Sequence, residues 1–211
     1  LVRDELFREA TWLIAAIRGA LAARRGEEAN VDQIVSALAR QDLAQSALQR
    51  HGPRLLPACS LLPETVGAAI AVSSDVAAAI AAVEHELHWK QNPNYSDGAM
   101  GQPGYMDGYA YAEVVGPSGF FAGDDFLLGL LLIGPHRVYR EHYHAAPELY
   151  WMLTGPSKWK NGSGGWSMRD AGSLCWHDPF VVHATATEAV PLLAIWAWAR
   201  DVGEPARLAG H

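Results

Sequence analysis

Glu141-His142-Tyr143-His144-Ala145-Ala146-Pro147-Glu148-Leu149-Tyr150, with Gly155 just beyond it, is the stretch on which the reading of this chain turns. Side chains two apart on an extended strand share a face, so His142 and His144 point the same way. Glu148 and Tyr150 share that parity with each other. Provided the chain bends around Pro147 without slipping register, all four converge on one surface. Two imidazoles and a carboxylate aimed at one point suit a divalent first-row metal. Tyr150 sets a phenol beside them, as a fifth donor or a proton acceptor. The alternative is a half-buried strand that happens to carry histidines. Three ligand-type residues within seven positions, all at same-face parity, argue against it.

The spacing His142-x-His144-x3-Glu148-x6-Gly155 resembles the first motif of the cupins in full. That resemblance implies a single small β-barrel, a double-stranded β-helix, with one more histidine ligand from a later strand. His183, in Asp178-Pro179-Phe180-Val181-Val182-His183 after the turn Asp170-Ala171-Gly172, stands where that ligand belongs. The second motif departs from the pattern at two positions. Phe180 replaces the usual glycine three residues before the histidine, and Thr187 replaces the usual asparagine four after it.

Composition sets the outer bounds. The chain has 211 residues, half of them apolar and 18% charged, an ordinary globular balance. A net charge of −7, with no basic run longer than Arg24-Arg25, argues against nucleic acid. The two cysteines, Cys59 and Cys175, are far apart and lack metal spacing, so a reducing compartment is the default. No stretch is long and apolar enough to predict a membrane span. The apolar segment 11–23 carries Arg18 in its middle and follows Glu5 and Glu9, so it reads as a helix rather than a signal segment.

Along the chain, residues 1–90 read as helical and 91–108 as a loop, a lid or a linker. Residues 109–202 read as the barrel and 203–211 as a loose tail. Leu6, Trp12, Leu13, Ala16, Ile17 and Leu21 predict one apolar helix face ending at Gly26. Asn30 or Asp32 is expected to cap a second helix running to about Arg50, Pro63-Glu64 to open a third, and Ser74-Asp75 to cap a fourth. His85 and His88, three apart beside Glu84 and Glu86, read as a solvated helix end rather than a metal face. The segment 89–109 is rich in Gly, Pro, Asn and Asp, and its tyrosines suggest packing over the barrel mouth. Strands are predicted over 110–115, 126–133, 138–144, 148–153, 165–168, 173–177, 181–187 and 192–199. Residues 156–165 read as a hairpin connection. Six of the eight tryptophans lie within or after the motif region, which suggests a pocket wall as well as a core.

The set His142-x-His144-x3-Glu148-x-Tyr150, with Tyr139 upstream, His183 downstream, a tryptophan-bearing last strand and a helical N-terminal region, resembles the cupin-type dimethylsulfoniopropionate (DMSP) lyases, most closely the DddQ group. Strict alternation would turn Tyr139 away from the site, so its inclusion requires a bulge. The resemblance implies cleavage of DMSP to dimethyl sulfide and acrylate in the cytoplasm of a marine bacterium. It implies one divalent metal (Zn, Fe, Mn, Co or Ni) held by His142, His144, Glu148 and His183. Elimination needs a base for a weakly acidic proton, and a phenol beside a dication fits that role. Tyr150 is therefore the expected base, and Tyr139 a substrate-orienting hydroxyl or second base. Trp196 and Trp198 share strand parity and would offer faces to the sulfonium, though plain wall packing accounts for them too. His136 and His177 read as supporting or surface residues. The competing readings are a mononuclear iron dioxygenase with the same ligands and a non-catalytic cupin that senses a small acid. The expected partner is a small zwitterion, with neither nucleic acid nor membrane.

Overall fold

The computed structural model describes residues 2–28 and 30–210. Its helices are α1 (Arg3–Ala23), α2 (Val31–Ala39), α3 (Leu62–Ala69), α4 (Ser74–Val83) and the short α5 (Asp97–Met100). The strands are β1 (Trp89–Lys90), β2 (Tyr109–Val115), β3 (Leu127–Ile133), β4 (Val138–Tyr143), β5 (Glu148–Met152), β6 (Ser157–Asn161), β7 (Ser167–Arg169), β8 (Leu174–His177), β9 (His183–Thr187), β10 (Leu192–Trp198) and β11 (Arg207–Leu208). They form a six-stranded sheet in the order β1-β2-β3-β10-β5-β8 and a five-stranded sheet in the order β11-β4-β9-β6-β7. Every neighbouring pair is antiparallel.

Alternation along the strands divides the larger sheet between two cores. Ala112, Leu130, Leu149, Trp151, Trp176 and Ile195 pack with the helices. Their neighbours Tyr109, Leu131, Tyr150, Cys175, Trp196 and Trp198 join Tyr139 and Trp159 of the smaller sheet. The molecule is therefore layered as helices, large sheet and small sheet. A sheet covered on both faces has no polar side, which is why β3 reads LLGLLLI without alternation.

The helices follow their patterns with three corrections. Leu6, Leu13, Ile17 and Leu21 of α1 are buried, and Gly26 lies beyond its end at φ 95°. Trp12 is not on that buried face. It is 38% exposed, and its indole N–H donates to Asp75 at 3.0 Å. The second helix stops at Ala39, short of Arg50, where the Gln41 side chain donates to the Ala37 carbonyl and satisfies the helix end. The fourth is capped by Ser73 rather than Ser74, with Val76 N–H donating to Ser73 Oγ at 3.3 Å.

Three further stretches differ from expectation in ways that shape the cavity. Trp89–Lys90 is an edge strand on β2. Residues 157–161, expected within a hairpin connection, form β6 between β9 and β7. The tail from 203 is tied down: β11 pairs with β4, and the side-chain amides of Asn92 and Asn94 donate to the Ala206 carbonyl at 3.0 and 3.3 Å. Among the described residues no helix is long and apolar enough to cross a membrane.

Candidate metal centre and cavity

His144 and Glu148 flank the short connection that carries the chain from the small sheet to the large one. Pro147 turns it there, and Glu148 enters β5 facing inward. His183 opens β9, directly opposite His142 of β4. The two sheets therefore bring ligand types from both sides to one place. The metal-ligating atoms of His144, Glu148 and His183 all lie within 4.8 Å of one another, and all three residues are buried. His142, expected as a fourth member, stands at the edge of this trio, its ring centroid 4.1 Å from that of His183.

Each of these imidazoles is held by its own backbone. His142 Nδ1 meets the Arg140 carbonyl at 2.7 Å, His144 Nδ1 meets that of Ala146 at 2.8 Å, and His183 Nδ1 meets that of Val181 at 2.8 Å. A carbonyl can only accept, so each Nδ1 carries a proton, and a metal would be taken by Nε2. Nε2 of His144 lies 3.0 Å from Glu148 Oε2, and Nε2 of His183 lies 3.3 Å from the same oxygen. Nε2 of His183 is buried without a hydrogen-bond partner. The two Nε2 atoms and the carboxylate oxygen thus converge on one point. Nitrogen and oxygen donors so oriented fit a divalent transition metal.

The surroundings fix Glu148 further. The Trp198 indole N–H donates to its Oε1 at 2.8 Å, and His177 Nδ1 stands 3.7 Å from Oε2. Burial alone would raise the carboxyl pKa, but the adjacent His144, with His177 and His183, holds it well below the ordinary value. His177 is fully buried, stacked on His183 with centroids 4.0 Å apart, and burial together with His183 lowers its pKa to about 4. Of the two readings the sequence offered for it, supporting or surface residue, its burial and its place opposite Glu148 across the β5–β8 pair favour the first. Burial, then His183, likewise lowers His142 well below the usual histidine range.

Beside the trio opens a cavity of about 400 Å³. Tyr139, His142, His144, Glu148, Tyr150, Trp196 and Trp198 reach its wall. Tyr139 arrives there through a register break between Tyr139 and His142 in the β4–β9 pairing. Its hydroxyl meets that of Tyr95 at 3.1 Å. Burial, followed by the nearby Glu148 carboxylate, raises the Tyr150 pKa well above the ordinary phenol value. Lys90, Tyr111 and Glu113 line the far part of the wall, and Val202–Ala206 of the tail closes one side. Sequence reading singled out none of Lys90, Glu113 or the tail. His85, half exposed, and His88, bonded to the Gly52 carbonyl, take no part in the wall.

Where cupins have glycine, Phe180 stands at φ 61° with its side chain 66% exposed. The left-handed turn that leads into His183 is thus kept without the residue that favours it.

The family model for dimethylsulfoniopropionate lyase matches residues 26–194. A curated Cereibacter sphaeroides protein named as a DMSP lyase, DddL, is 31% identical over 96 residues, covering 43% of this chain and 38% of that protein. The chain thus aligns with well under half the length of that relative. Two solved structures share the fold over nearly the whole of both chains. One, described as DMSP lyases RdDddP and RnDddQII, has a TM-score of 0.72 at 19% identity, covering 96% of this chain and 98% of the other. The second, DMSP lyase DddQ from Ruegeria pomeroyi DSS-3, gives 0.72 at 19%, covering 98% and 97%.

Proposed function

Because the chain belongs to the dimethylsulfoniopropionate lyase family, we propose that it is a metal-dependent carbon–sulfur lyase that cleaves DMSP to dimethyl sulfide and acrylate. The carrying observation is the Tyr150 side chain on the cavity wall beside Glu148 and His144. His144, Glu148 and His183 would hold the metal, which when bound would offset charge developing on the substrate carboxylate and favour the phenolate of Tyr150.

Tyr150 acts as the general base. Its oxygen takes the proton on the carbon α to the carboxylate. The freed electron pair becomes the new carbon–carbon double bond, and the carbon–sulfur bond breaks. Its electrons leave on sulfur as neutral dimethyl sulfide, and the remaining three-carbon fragment is acrylate. Tyr139, bonded to Tyr95, orients the substrate. Trp196 and Trp198, inward-facing on β10, receive the sulfonium against their ring faces. Burial and Glu148 favour the neutral phenol of Tyr150.

The finer assignment is to DddQ-like members acting in the cytoplasm. It draws on the Tyr139, His142 to Tyr150 and His183 pattern and on the helical N-terminal layout. The test is incubation of metal-loaded protein with DMSP, with and without oxygen, following dimethyl sulfide by headspace gas chromatography and acrylate by absorbance. Both products are expected at equal rates in the two atmospheres. A requirement for oxygen would favour the dioxygenase, and no dimethyl sulfide would sink the lyase.

A further inference from the structure

We infer that Glu113 selects an onium cation, a sulfonium or quaternary ammonium group, at the end of the cavity away from His144, Glu148 and His183. The inference deepens the proposed reading, on which it rests for the placement of the substrate carboxylate at the trio.

Glu113 is a carboxylate on the cavity wall, where Lys90, Tyr111 and Leu127 also stand. It is 5% exposed, faces inward from β2 and lines the cavity. Its Oε2 accepts from the backbone N–H and the hydroxyl of Ser118, each at 2.8 Å, and Oε1 pairs with Lys90. The carboxylate is therefore fixed in place and oriented before any ligand arrives.

Strand register puts it in line with the reacting end. Glu113 lies opposite Gly129, Gly129 opposite Trp196, and Trp196 opposite Tyr150. With neighbouring strands about 4.8 Å apart, that row spans about 14 Å between Glu113 and Tyr150. Gly129 brings no side chain to the middle of the row. A Cβ there would meet the Trp196 ring at 2.7 Å, so the indole occupies the space a side chain would fill and bridges towards β2. The Tyr111 ring meets Trp196 edge-on at 6.0 Å. A short zwitterion with its carboxylate at the trio would carry its cation over Trp196, next to this end.

The chain's own cation shows what the place accommodates. Lys90 Nζ sits 5.3 Å over the Tyr111 ring while it pairs with Glu113. A carboxylate on one side and an aromatic face on the other suit a cation that has no N–H to donate. The Lys90 side chain is 25% exposed on a flexible stem, whereas that of Glu113 is 6% exposed. Lys90 is the member that can withdraw, and it competes with the ligand's cation for the same carboxylate.

The two partners of this ion pair should therefore act with opposite sign, which a purely structural pair would not. The metal-loaded full chain is titrated with tetramethylammonium and trimethylsulfonium, with tert-butanol as an uncharged probe of similar size, following tryptophan fluorescence. Glu113→Gln should weaken both cations by about tenfold, the loss of one charge-assisted contact, and leave tert-butanol unchanged. Lys90→Gln should tighten both cations. Weakening by both variants, or no change in Glu113→Gln, overturns the inference. If Glu113→Gln does not fold by circular dichroism, Lys90→Gln decides alone, and unchanged or weaker cation binding is then the refuting result. Binding is read without turnover. A wild type that binds the cations with these signs but releases no dimethyl sulfide refutes the lyase and leaves Glu113 standing. One that cleaves DMSP with an unaltered KM in Glu113→Gln does the reverse.

Discussion

Tyr139 and His142 lie face to face, with ring centroids 4.0 Å apart and planes inclined by only 6°. Three residues apart on a regular strand, they would point to opposite sides. The break in pairing between them turns both towards the cavity. The stack also braces the His142 ring, whose Nδ1 is bonded to the Arg140 carbonyl. The Tyr139 ring and hydroxyl thus have separate partners, His142 and Tyr95, and are separable by mutation.

Tyr150→Phe removes one oxygen and keeps the ring against Trp159 and His177. Metal content and fold should persist, while dimethyl sulfide release falls by about 10²–10⁴, the usual range for a lost general base. Tyr139→Phe preserves its stack and loses only the bond to Tyr95, so its rate should fall less. Equal activity in wild type and Tyr150→Phe would move the base elsewhere, Tyr139 first.

Elemental analysis of purified protein should find about one divalent metal per chain, as expected for a single cluster of three donors. The double substitution His144→Ala/His183→Ala should abolish it, since both nitrogens face Glu148 Oε2. Undiminished metal in the double variant would place the ion somewhere other than this trio.

Acidification should destabilise the metal-free protein in a defined window. His177 has its pKa lowered from 6.5 to about 4 by burial and by His183. Between those values the unfolded chain binds a proton that the folded chain refuses, so stability rises with pH across the window. The contribution is fully present above about 6.5 and lost by about 4, with an upper bound of roughly 3 kcal/mol. Urea midpoints measured with chelator from pH 7.5 to 4 should fall, and less steeply in His177→Asn. Parallel slopes in the two proteins would contradict this account.

Phe180→Gly should raise stability by about 1 kcal/mol, because a side chain at positive φ costs roughly 1–2 kcal/mol. Phe180 is largely exposed, so little packing is lost with it. Thermal melting is the measurement, and a lower melting temperature would show that the ring has an unrecognised contact.

Much of the site could be read from local spacing, because strand parity is a local rule. His142, His144, Glu148 and Tyr150 share one short stretch, and all four reach the cavity wall. The α1 face was legible for the same reason, with Trp12 lost because an indole can bond at a surface as readily as pack in a core. What escaped depends on distant partners. Trp89–Lys90 is a strand only because β2 offers an edge, and residues 157–161 only because β9 and β7 lie on either side. His177 could be read as supporting or as surface, and only laying β8 beside β5 decides between them. Glu113 and Lys90, though both charged, carry no spacing that links them.

The hold of each imidazole on a carbonyl two residues away along its own chain has a wider consequence. The Nδ1 proton of each ring is placed by its own strand, while Tyr139, Trp198 and His177 set the tilt by stacking on His142, His144 and His183. Insertions, altered helices or a different tail can then accumulate around the sheets without rewriting the donor atoms. A designer wishing to graft this centre onto another pair of facing sheets would need to copy three short backbone segments, Arg140–His142, His144–Glu148 and Val181–His183, the rings of Tyr139, His177 and Trp198 packed on them, and one spacing.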